Sequence, residues 1–124
     1  MLQDRIDALI EQAQRIESLS DDILRNRPGE LDGEDLQDIE DIHKSSVTLV
    51  SRLQNVRTQT PEQWPENILH ELRSPLNAIV GYSDMLVESG LLATDQERDL
   101  TTVHDIGSQL TADITALFMR PDGG

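Results

Sequence analysis

The 124-residue sequence predicts an all-α protein, an antiparallel four-helix bundle. Its apolar residues recur at steps of three and four, the spacing that lines one face of a helix. They are mostly Leu, Ile, Val and Ala, with one Trp, one Tyr and one Phe, a palette that packs helices and offers little to a sheet. Proline and glycine fall between the periodic segments, and connections of about 5 to 8 residues suit antiparallel neighbours. Periodicity leaves two ways to close the core. The chain forms an intramolecular pseudo-dimer of two helical hairpins, or its hairpins pair with a second chain.

The first segment places Leu2, Ile6, Leu9, Ala13, Ile16 and Ile23 on one stripe, with Ser20 in the gap. It should end near Asn26, because Arg27-Pro28-Gly29 follows and proline disfavours helical geometry in the residue before it. A second helix can start at Asp32, whose carboxylate would cap free amides, and carries Leu36, Ile39, His43, Ser46, Val50 and Leu53 to a stop within Thr58 to Thr60.

Thr60-Pro61-Glu62-Gln63 has the form of a capping box, but Pro65 offers a second start, so the third helix begins at 61 or at 65. Its face is Leu69, Leu72, Leu76, Ile79, Ser83 and Leu86, running to about Ser89, where Gly90 supplies the stop. Pro75 lies inside this helix. An interior proline removes a backbone hydrogen bond and clashes with the preceding turn at a cost of about 3 kcal/mol, so a kink is expected. Thr94-Asp95-Gln96-Glu97 opens the fourth helix, with Leu100, Val103, Gly107, Leu110, Ile114 and Leu117 inward. The expected organisation is one helical domain: a structural hairpin over 1–58, a second hairpin over 61–119 and a frayed tail over 120–124.

Acidic residues number 24 against 10 basic ones, a formal net charge of −14 that repels phosphate backbones and anionic membranes. Nucleic acid and membrane are therefore not expected partners. The absence of cysteine excludes disulfides and thiolate metal sites. No run of 18 apolar residues and no signal-peptide core occurs, which predicts a soluble, cytoplasmic protein. The three histidines show no HExxH pattern and no i, i+3 or i+4 pair, so no metal site is expected.

One stripe of the third helix does not fit the core. His70, Arg73, Asn77, Gly81 and Asp84 fall on a different side from the apolar face and should lie in solvent. An accessible imidazole near neutral pH can attack phosphorus through one ring nitrogen while the other needs an acceptor for its proton. A lone His-Glu pair would more often be an ordinary surface histidine beside a helical glutamate. Here the pair sits in a longer pattern, Ile68-Leu69-His70-Glu71-Leu72-Arg73-Ser74-Pro75-Leu76-Asn77-Ala78-Ile79-Val80-Gly81-Tyr82. This segment resembles the H-box of sensor histidine kinases, the first helix of their dimerisation and histidine-phosphotransfer domain.

The resemblance implies specific roles. His70 would be the phosphoryl acceptor, Glu71 its acid/base partner, and Ser74 the hydroxyl that orients a water for dephosphorylating a partner. Arg73 could approach phosphoryl oxygens, and with Asn77 would contact the partner. His43 and His104 sit in segments that resemble the second helix of the same domain, where a histidine is common and is not the acceptor; both should lie at helix interfaces.

The function implied is a two-component phosphorelay module, in which His70 exchanges a phosphoryl group with a response-regulator receiver domain. A separate histidine kinase catalytic domain is a further candidate donor. Mg²⁺ would be bound by the receiver, and no cofactor by this chain. Competing readings are a signalling scaffold that binds a regulator or kinase through the H-box surface without phosphate passing, and a dimerisation domain excised from a sensor kinase. In the resembling family the ATP site is a separate domain after the second helix. Here seven residues follow Leu117 and no GxxxxGK[ST] loop occurs, so ATP binding and self-phosphorylation are not expected of these 124 residues.

An internal repeat is also visible. Ser20-Asp21-Asp22-Ile23-Leu24 lies on Tyr82-Ser83-Asp84-Met85-Leu86 at an offset of 62, and His43 lies on His104 at an offset of 61. At these offsets Ala8 stands where the second copy has His70, and Ala13 where it has Pro75. The first hairpin would be structural and the second would carry the chemistry, with a monomer favoured and a homodimer the alternative.

Overall fold

The computed structural model describes residues 2–26, 33–90 and 94–119. It contains α1 (Leu2–Arg25), α2 (Gly33–Arg57), a 3-10 turn (Pro61–Gln63), α3 (Ile68–Ser89) and α4 (Thr94–Phe118), with no strand among the described residues. The helices form a ring. Helix α1 packs on α2 and α4, α3 packs on the same two, and the diagonal pairs α1/α3 and α2/α4 face each other only across the core. All four walls come from one chain, so the bundle closes as a pseudo-dimer of two hairpins. The predicted breaker Arg27-Pro28-Gly29, the Asp32 cap and the tail 120–124 lie outside the described residues.

The expected stripe of α1 is buried from Ile6 to Ile23, including Ser20 at 0% exposure, whereas Leu2 is only partly covered at the helix end. In α2 the buried face is Ile39, Ile42, Ser46, Leu49, Val50, Leu53 and Val56. His43 and Leu36, expected on it, are half-buried at its edge, because two neighbouring helices widen the buried arc beyond a single stripe. Likewise Ile68 takes the inward place expected of Leu69 at the start of α3, and Phe118 takes that of Leu117 at the end of α4.

The α2 to α3 connection differs from either predicted start. Pro65 keeps Trp64 extended, at φ −66° and ψ 141°, so the turn begun at Pro61 stops after three residues and the α-helix starts at Ile68. The predicted box contributes one side-chain bond, from the Thr60 amide to Gln63 Oε1 at 2.8 Å. Trp64 closes this end of the bundle. Its ring packs against Phe118 with centroids 4.9 Å apart, and its Nε1–H donates to the Val56 carbonyl at 3.3 Å.

At the other end, α3 stops at Gly90 as predicted, with φ +68°, the left-handed conformation that glycine adopts without strain. Gly90→Ala is expected to lower stability by about 1 kcal/mol, measured by denaturant titration, although a Cβ there would meet no neighbour. Helix α3 runs through Pro75 without a break, and the proline ring is itself buried.

Burial corrects the register of the repeat. Leu9 and Leu72, Ala13 and Leu76, Ile16 and Ile79, Ser20 and Ser83, and Ile23 and Leu86 are buried pairs, each 63 residues apart. The two serines repeat one bonding pattern. Ser20 Oγ bonds the Ile16 and Glu17 carbonyls at 2.9 and 3.0 Å, and Ser83 Oγ bonds those of Ile79 and Val80 at 2.7 and 3.1 Å. Helices α2 and α4 match at the predicted 61, through Ile39 and Leu100, Ile42 and Val103, Ser46 and Gly107, Leu49 and Leu110, and Leu53 and Ile114. The α1/α3 offset is therefore 63 rather than 62, and the residues opposite His70 and Pro75 are Asp7 and Gln12, not Ala8 and Ala13. Letter identity aligned Asp22 and Leu24, outside the buried set; core position sets the register.

Candidate functional site

Helix α3 presents its second stripe as expected: His70, Arg73, Asn77, Gly81 and Asp84 are all exposed, while Leu72, Leu76 and Ile79 beneath them are fully buried. Leu69, His70, Arg73 and Asn77 line one open surface groove. The imidazole makes no hydrogen bond or ion pair among the described residues, so neither ring nitrogen is occupied. His70 is the third residue of α3, and its position follows from the late helix start that Pro65 enforces.

The other predicted site residues separate from it. Ser74 is exposed on the opposite flank, in a groove between α2 and α3 with Lys44, Ser45, Thr48, Arg52, Pro75 and Ala78. Glu71 is half-buried, and its backbone carbonyl accepts a hydrogen bond from Arg52 Nη1 at 2.5 Å. His70, Arg73 and Asn77 thus share one surface, while Ser74 shares another with two cations. Sequence reading missed Arg52 and Lys44. The only local signal was Pro75, which predicts a carbonyl in want of a donor without saying where the donor comes from.

The other two histidines are interface residues. His43 is half-buried, with Nδ1 3.1 Å from Ser20 Oγ across the α1/α2 seam. His104 is partly covered between Asp84 of α3, 3.7 Å from Nε2, and its neighbour Asp105, 3.6 Å from Nδ1. The first hairpin has no histidine at the position corresponding to His70. Asp7, at the corresponding position, is paired with Arg57 of α2, and that hydrogen bond and charge raise the Arg57 pKa above the ordinary arginine value. No group of three or more metal-ligating side chains occurs among the described residues, and no described helix is long and apolar enough to cross a membrane.

This arrangement of an uncommitted histidine on a proline-bearing helix, paired with a second helix, coincides with a family match. The family model of the His Kinase A (phospho-acceptor) domain matches residues 62–119. The second hairpin belongs to this family. No curated protein and no solved structure matches the chain significantly. The His kinase A match covers α3 and α4 and stops short of the first hairpin, in agreement with the unequal halves of the repeat. It places the hairpin in two-component signalling, in the phospho-acceptor and dimerisation role of that domain.

In this His kinase A hairpin the two helices approach closely, and Gly107 permits it. A Cβ at this position would lie 3.0 Å from Val80 Cγ2 and 3.3 Å from Ile79 Cγ2. The corresponding residue of α2 is Ser46, whose hydroxyl turns back to the His43 carbonyl at 2.6 Å. The α3/α4 seam is thereby closed by a missing side chain, and the opposite copy by a small polar one.

Proposed function

We propose that the chain is a phosphorelay module in which His70 exchanges a phosphoryl group with the receiver domain of a response regulator. The observation that carries this reading is the uncommitted imidazole on the open stripe of a His kinase A hairpin. In the accepting direction, a ring nitrogen attacks the phosphorus of an aspartyl phosphate, the N–P bond forms, and the P–O bond breaks to release the aspartate carboxylate. The H-box resemblance supports Glu71, next to His70 in sequence, as acceptor for the proton on the other ring nitrogen. Transfer onward reverses these bonds. Arg73 stands one turn along the same groove and can meet the non-bridging oxygens, while Asn77 contacts the partner. Ser74 faces the α2/α3 groove rather than the His70 groove, so the H-box resemblance alone supports its role as the hydroxyl that orients a water for hydrolysis. Mg²⁺ is bound by the receiver, which also supplies the second acceptor.

The test is incubation of the chain with a panel of receiver domains carrying labelled aspartyl phosphate. Label that appears on the chain, survives alkali and is lost in acid identifies phosphohistidine and supports the reading. Retention of all label by receivers that nonetheless bind the chain would instead make it a scaffold.

Because both hairpins of the bundle come from one chain, the protein is expected to be a 13.9 kDa monomer by light scattering at low and high salt, with a net charge of −14 opposing self-association. A salt-independent dimer would show that the two hairpins exchange between chains.

A further inference from the structure

The geometry points to Arg52 as a positioning residue for His70: reaching across from α2, it replaces the backbone hydrogen bond that Pro75 deletes from α3 and holds the acceptor's helical turn in place. The functional half of this inference rests on the phosphoryl-acceptor reading of His70. The structural half does not.

In an α-helix the carbonyl of residue i accepts from the amide of residue i+4, and Pro75 has no amide hydrogen. The Glu71 carbonyl, four residues earlier, is thus left without that donor. Arg52 Nη1 donates to this same oxygen at 2.5 Å. Arg52 is half-buried and lines the α2/α3 groove together with Pro75. A charged donor makes a stronger bond than the amide it replaces.

The pseudo-twofold supplies an internal control. The counterparts of Glu71 and Pro75 in α1 are Ala8 and Gln12, and the counterpart of Arg52 in α4 is Asp113; these three lie together in the matching groove between α1 and α4. Gln12 has its own amide hydrogen, so the Ala8 carbonyl has an ordinary helical donor available, and the aspartate opposite can donate nothing when ionised. Of these two matching grooves, the one with a guanidinium on a backbone carbonyl is the one where a proline makes it necessary.

The location gives the bond its functional meaning. His70 and Glu71 lie in the first turn of α3, where helices fray because the leading amides lack intrahelical partners. The Glu71 amide itself bonds back to the Asn67 carbonyl, ahead of the helix, at 3.0 Å. Arg52 adds a lateral anchor on the residue next to His70. In-line phosphoryl transfer depends on holding the nucleophile in one orientation, so loss of the anchor should act on the rate of transfer more than on partner binding.

The experiment uses the full chain as wild type, Arg52→Ala, Arg52→Lys, Pro75→Ala and the Arg52→Ala/Pro75→Ala double variant. Denaturant titration reads stability, the ¹³C shift of the Glu71 carbonyl reads its hydrogen bond, and label transfer from phosphorylated receivers reads function. Arg52→Ala is expected to lower the folding equilibrium constant roughly tenfold and the maximal transfer rate roughly tenfold, with KM for the receiver unchanged. In the Pro75→Ala background, where the substituted alanine supplies an amide to the Glu71 carbonyl, the same Arg52 substitution should change either quantity less than about twofold. Arg52→Lys keeps one donor and should recover part of both. Equal effects of Arg52→Ala in the two backgrounds, or an unmoved Glu71 carbonyl shift, would overturn the cap. A coupled cycle and shifted carbonyl with unchanged transfer would overturn the positioning role. Absence of label from the wild type on every receiver would overturn the phosphoryl reading, and with it the functional half, while the cycle and the shift still decide the structural half.

Discussion

Replacement of His70 by glutamine is expected to abolish acid-labile phosphate on the chain, while His43→Gln and His104→Gln retain it. Glutamine keeps a polar side chain of similar reach but has no nucleophilic ring nitrogen, so the loss should fall below detection rather than to a fraction. Stability should barely change, because His70 is exposed and makes no hydrogen bond among the described residues. The other two histidines are held in seams, His43 against Ser20 and His104 between Asp84 and Asp105, and neither lies on the open α3 stripe that carries His70. Their substitution should cost a modest amount of stability and no label. Labelling measured at matched folded fraction separates these effects. Equal label on all three histidines, or persistence of label in His70→Gln, would remove His70 from the acceptor role.

The second large effect is in the core. Leu76→Ala is expected to destabilise the bundle by about 2–5 kcal/mol, as deletion of a fully buried leucine leaves a cavity. Its counterpart in the corrected register is Ala13, also fully buried on the diagonal helix. Ala13→Leu alone should overpack the same layer and cost about 1–3 kcal/mol. The exchange Ala13→Leu/Leu76→Ala keeps total volume and should cost clearly less than the two singles added together. Denaturant midpoints at constant slope provide the measurement. Strict additivity would show that the two residues occupy different layers and that the pseudo-twofold register is wrong.

Much of the site was legible because its signals are local. The exposed stripe from His70 to Asp84 follows from an angular step of about 100° per residue and the neighbouring apolar face. Gly90 and the run from Leu100 to Ile114 were legible for the same reason. The start of α3 was not: two prolines offered beginnings at 61 and 65, whereas Pro65 holds Trp64 extended, where its ring packs against Phe118, and the helix begins only at Ile68. Leu69 and Leu117 were misplaced by one position for a related reason: a helix end inside a ring of four buries whichever residue points to the closure, not the one that continues an ideal stripe.

By itself the sequence determined the helical class, the four segments, the H-box and the solvent-facing histidine, since each depends on residues within a few turns of one another. Tertiary structure alone decided that the bundle closes within one chain, that the repeat register is 63 in α1/α3, that Asp7 pairs with Arg57 and that Arg52 reaches the carbonyl freed by Pro75. These are meetings of side chains on different helices. Periodicity fixes which face of a helix is buried, but the level at which two helices meet is set by how all four fill the core together.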